Sequence, residues 1–150
     1  MSFEEKFTWV SAVVSAAVAA VYCAVVLRHL GEVPAAEIAY RRPMLIAFGA
    51  MIVLTIVGTI VTAIGTAVSA EITGNGSVKD IDRKDERDVQ IDRRGLLAGS
   101  YVMWVGALCV MGLTMLEQDY FWIANALYLT FVVSGLVSSA VKLIAYRRGF

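Results

Sequence analysis

The sequence predicts an all-α membrane protein: an antiparallel four-helix transmembrane bundle with a charged cytoplasmic helix before its third span. Three observations carry this. The 150 residues are 59% hydrophobic, yet include thirteen basic and thirteen acidic side chains. Those charges cluster, leaving four uncharged runs: Phe7 to Leu27 (21 residues), Pro43 to Ala70 (28), Gly95 to Leu116 (22) and Tyr120 to Val141 (22). The largest cluster is "KDIDRKDERDVQIDRRG" at 79–95, where twelve of seventeen residues are charged, six of each sign. A bilayer core roughly 30 Å thick takes about 20 helical residues, so each run suffices for one crossing. Strands are the poorer reading. Strict alternation is missing, and four strands cannot close a membrane barrel.

The elements follow in order. The first span is expected at about 7–28. Its "MSFEEKF" lead carries more acid than base, so it reads as a retained span and not as a signal peptide. The second is expected at 43–70, with Pro43 in its first turn, where a missing N–H costs nothing. "TGNGS" at 73–77 ends it. A charged helix over 79–94 then leads to the third span at 95–116, with Gly95 loosening the joint. "EQD" turns the chain into the fourth span at 120–143. One domain, 1–150, accounts for everything.

Basic residues orient the chain. Four spans place both termini and the central segment on one side with Lys6, Lys79, Arg83, Lys84, Arg87, Arg93, Arg94, Lys142, Arg147 and Arg148; the other side has Arg28, Arg41 and Arg42. Ten against three makes the first side cytoplasmic.

Little chemistry is offered. His29 is the single histidine and sits at a span border, which is too few ligands for a metal or haem site. "DIDRKD" departs from a calcium loop at Lys84 and Asp85. Cys23, Cys109, Met111 and Met115 read as packing residues. No ionisable group lies deep in a span, which argues against a proton-coupled exchanger. No enzyme activity, cofactor, metal or direct nucleic-acid contact is therefore expected.

Three features remain. In the second span Thr55, Gly58, Thr59, Thr62, Gly65, Thr66 and Ser69 share one helix face. The face reads as close packing, with a wet path as the other reading. Asn125 is the most polar residue at depth, and Tyr22 lies at similar depth on the first span. An unpaired amide there would cost several kcal/mol, so a partner is expected, with Tyr22 the first candidate. On the charged helix, Arg83, Arg87, Gln90 and Arg94 fall within about 60° of arc, with Asp85, Asp88 and Asp92 almost opposite. Two opposed stripes suit docking on a complementary surface, or contact with anionic headgroups.

"DERDVQIDRRG", "FWIANALY" and the terminal "KLIAYRRGF" resemble a group of small actinobacterial four-span membrane proteins. They are also similar to a broader family of bacterial membrane proteins with a "DER" motif before the third span. The resemblance covers most of residues 38–150 and implies the bacterial plasma membrane. It also implies a cytoplasmic regulator as a partner. The function expected is a non-enzymatic interaction or regulatory protein, homo-oligomeric, that docks through Arg83, Asp85, Arg87, Asp88, Asp92 and Arg94. The alternatives are a small passive transporter or channel lined by the Thr/Gly face, or an accessory subunit of a larger membrane complex.

Overall fold

The structure, a computed structural model, describes residues 3–30, 32–73 and 86–148. Four helices dominate: α1 (Phe3–Leu27), α2 (Arg41–Thr73), α3 (Glu86–Met115) and α4 (Tyr120–Arg148). A 3₁₀ turn, Ala35–Glu37, lies between α1 and α2. All four helices are long and apolar enough to cross a membrane. Their outer surfaces fit that setting. Leu45, Ile46 and Trp104 are each at least 70% exposed. Such a continuous apolar surface would drive aggregation in water, but it matches lipid.

The helices begin and end where local chemistry dictates. Pro43 is the third residue of α2, inside the first turn. The first intrahelical bond, Met44 N–H to the Tyr40 carbonyl at 2.9 Å, bypasses it. After α3 the chain reverses in a tight turn. The Gln118 amide donates to the Leu113 carbonyl (3.1 Å) and the Glu117 amide to the Thr114 carbonyl (3.1 Å). Glu117 adopts φ 52°, the left-handed conformation usually given to glycine in such a helix stop. Asp119 then starts α4, its carbonyl accepting from the Trp122 and Ile123 amides.

One boundary differs from expectation. The charged segment and the third span are not two helices with a joint at Gly95. From Glu86 onward they form one uninterrupted helix. Gly95 serves packing instead, as described below. Residues 79–85 of the expected charged helix lie outside the described residues.

The extensive helix contacts run α2–α1–α4–α3, so α1 and α4 occupy the middle. The main hydrophobic cluster fills the half of the bundle away from the termini. It joins Ala19, Tyr22 and Val26 of α1, Ala47 of α2, and Phe121, Tyr128 and Val132 of α4. Ile38, just after the 3₁₀ turn, closes its end. Aromatic rings tie three segments together: Tyr22 lies 4.5 Å from Tyr128, Phe48 5.4 Å from Tyr128, and Tyr40 5.4 Å from Phe121.

Candidate functional site

The seam between α3 and α4 determines what the charged end of α3 presents. Its α3 face consists of Asp88, Asp92, Gly95, Gly99 and Gly106. These positions recur at three-, four- and seven-residue steps, so they align on one side of the helix. The α4 face offers Thr130, Ser134, Ser138, Lys142 and Tyr146, each four residues apart. The two rows mesh in antiparallel order. A Cβ at Gly106 would collide with the Thr130 side chain. At Gly99 it would stand 3.0 Å from the Ser134 carbonyl oxygen and 3.1 Å from the Ser138 Cβ. The Ser134 hydroxyl donates to the Gly99 carbonyl at 2.8 Å. Small residues let two backbones approach, and a hydroxyl ties them together.

At Gly95 the missing side chain makes room for a lysine stem. A Cβ there would lie 2.5 Å from Lys142 Cγ and 2.7 Å from Lys142 Cε. The stem crosses α3 at that point, and its ammonium pairs with the Asp92 carboxylate. One turn further, the Tyr146 phenol lies beside the Asp88 carboxylate. Arg147 stacks over the Trp9 ring at 5.7 Å, bringing the start of α1 to the same end.

The predicted interaction residues therefore separate into two groups. Asp88 and Asp92 face α4, where Asp92 pairs with Lys142 and Asp88 lies beside Tyr146. Arg87 and Arg94 lie on the other side, where they line a shallow hollow of about 150 Å³ with Gln90 and Ile91. Arg83 and Asp85 lie outside the described residues. Sequence reasoning missed Lys142 and Tyr146 as the partners of the acidic stripe. The four-residue recurrence from Thr130 to Tyr146 was the signal. It was obscured because Lys142 also suits a headgroup-seeking role.

The Thr/Gly face of α2 is used unevenly. A Cβ at Gly58 would lie 2.5 Å from Val10 Cγ1, so α1 packs directly on that glycine. Among the described residues, a Cβ at Gly65 would meet nothing within 4 Å. The hydroxyls turn to their own helix. Thr59 donates to the Thr55 carbonyl (2.7 Å), Thr62 to Gly58 (2.7 Å) and Thr66 to Thr62 (2.6 Å). Back-bonding of this kind satisfies a hydroxyl in lipid without a water column. The Ser69 side chain lies outside the described set.

Asn125 is buried and satisfied at both ends. The Tyr22 hydroxyl donates to its Oδ1 at 2.7 Å, and its own amide donates to the Phe121 carbonyl at 2.8 Å. Equal depth on two spans was enough to name the pair. Comparison with family models, curated proteins and solved structures gave no significant match, so the reading of this site rests on its own geometry.

Proposed function

We propose that this is a non-enzymatic membrane interaction protein that docks through the basic stripe at the charged end of α3. It resides in the bacterial plasma membrane with both termini in the cytoplasm, and it acts as a homo-oligomer. One observation carries the docking reading: Asp88 and Asp92 of that helix end are turned toward α4. Lys142 pairs with Asp92, and Tyr146 lies beside Asp88. This fixes the rotation of α3, so that Arg87 and Arg94 point away from the seam around a hollow. Because the helix continues unbroken into the membrane, the stripe is a rigid projection. Its partner is an acidic segment of a second subunit or of a cytoplasmic protein. The Thr/Gly face contributes packing against α1 and no transport path.

The test is a gentle pull-down of the full chain from native membranes, with mass determination of the intact complex. A defined oligomer or partner complex is expected, and it should be lost in the Arg87→Gln/Arg94→Gln variant. A monomer without partners in the wild type would sink the proposal.

A further inference from the structure

The end of the bundle away from the termini carries a second polar feature. Arg41 and Arg42, the first residues of α2, line a cavity of about 630 Å³ together with Tyr40, Asp119 and Phe121. Pro43 forms part of its wall. The same proline heads an apolar groove of about 420 Å³ between α1 and α2. The groove runs from Pro43 past Ile46 and Ala50 to Leu54, faced by Val18 and Val25 of α1. Eleven helical steps of 1.5 Å, from Pro43 to Leu54, make it about 16 Å long.

We propose that cavity and groove form one site for an anionic phospholipid. Its phosphate sits between Arg41 and Arg42, and one acyl chain lies in the groove. Three arguments support this occupant. The first is charge. Arg41 and Arg42 are the two bases of the cavity lining and Asp119 its single acid, and neither arginine is ion-paired among the described residues. The surplus of one positive charge matches a phosphodiester monoanion, and guanidinium forks suit phosphate oxygens. Depth is the second. Pro43 and Tyr120 begin the apolar parts of their spans, so the cavity lies at headgroup level. Tyr40, Tyr120 and Phe121 line it, as aromatic rings do at a membrane border. The third is shape. A free anion would use the cavity and leave the groove empty, whereas an amphiphile fills both. The site is remote from the basic stripe of α3 and does not depend on its role.

Native mass spectrometry of the detergent-purified full chain provides the test. The chain is titrated with phosphatidylglycerol and phosphatidylcholine carrying the same acyl chains. Retention of phosphatidylglycerol over phosphatidylcholine by about thirtyfold is expected, from roughly 1 kcal/mol for each of the two interfacial arginines. The Arg41→Gln/Arg42→Gln variant should lose that preference. Arg28→Gln, at the same end but outside the cavity, should keep it. Ala50→Phe narrows the groove while sparing both arginines, and should weaken retention of the long-chain lipid. Circular dichroism checks that each variant is folded. Equal retention of both lipids, or unchanged retention in both the double-arginine and Ala50→Phe variants, overturns the proposal. Displacement of the lipid by an equal concentration of glycerol phosphate would also overturn it, by identifying a site for a free anion.

Discussion

At the scale of single residues, two tyrosines one ring apart have opposite hydrogen-bonding fates. Tyr22 gives its hydroxyl to Asn125, while the Tyr128 hydroxyl is buried without a hydrogen-bond partner among the described residues. Removing the first hydroxyl leaves a buried amide oxygen unpaired. Removing the second relieves a desolvated group. Tyr22→Phe should therefore lower stability by about 1–2 kcal/mol, and Tyr128→Phe should be neutral or mildly stabilising. Thermal unfolding in detergent, followed by circular dichroism, reads both. A loss on Tyr128→Phe as large as that on Tyr22→Phe would contradict the assignment. The Tyr22–Asn125 pair was legible in the sequence because depth follows from counting along two spans, and a buried amide demands a partner. The Asp92–Lys142 pair was not, because contact across fifty residues depends on the rotation and register of two helices. The sequence presents Lys142 equally well as a residue reaching for headgroups.

At the scale of elements, glycines separate close helix crossings from open faces. Gly58 lies under Val10 of α1, whereas a Cβ at Gly65 would meet nothing within 4 Å among the described residues. Gly58→Leu should cost about 1–3 kcal/mol through overpacking, and Gly65→Leu should leave the fold intact. Comparing their unfolding midpoints tests this, and equal losses would place Gly65 in an intramolecular crossing after all. The turn between α3 and α4 offers a stabilising change. Glu117 occupies a left-handed position at φ 52°, which costs a residue with a Cβ about 1–2 kcal/mol. Glu117→Gly should recover about 1 kcal/mol, offset in part by the freer unfolded chain. An unfolding midpoint that falls would contradict the helix-stop geometry. Helix existence was legible at this scale, because four uncharged runs of bilayer length leave few alternatives. The continuity of α3 through Gly95 was not. Glycine at a border reads as a joint until the lysine lying across it is seen.

At the scale of the whole molecule, the order α2–α1–α4–α3 could not be read from the sequence. In water, the buried face of a helix differs in composition from the exposed one. In lipid both are apolar, so the pattern that would assign neighbours is largely erased. What survives is the trail of small and polar residues, which marks the α3–α4 seam and, at Gly58, the α1–α2 crossing. The proposed orientation rests separately on ten basic residues against three. In a variant lacking Cys23 and Cys109, a cysteine at Gln118 should react with an impermeant reagent on intact cells. A cysteine at Ser77 should not, and the reverse result would invert the orientation. The central claim is that the acids of α3 orient the helix while its arginines dock. Arg87→Gln/Arg94→Gln should weaken association without loss of fold. Asp92→Asn should cost under about 1 kcal/mol of stability, because its ion pair is partly exposed, and should leave association largely unchanged. Association through exposed arginines should also weaken as salt rises, since the charges are screened over about 10 Å at 0.1 M. The most direct measurement is therefore association in nanodiscs at low and high ionic strength, for wild type, Arg87→Gln/Arg94→Gln and Asp92→Asn. The account predicts salt-sensitive association that is lost in the arginine variant and kept in the aspartate variant. Association indifferent to salt and to the arginines, or abolished by Asp92→Asn alone, would contradict it.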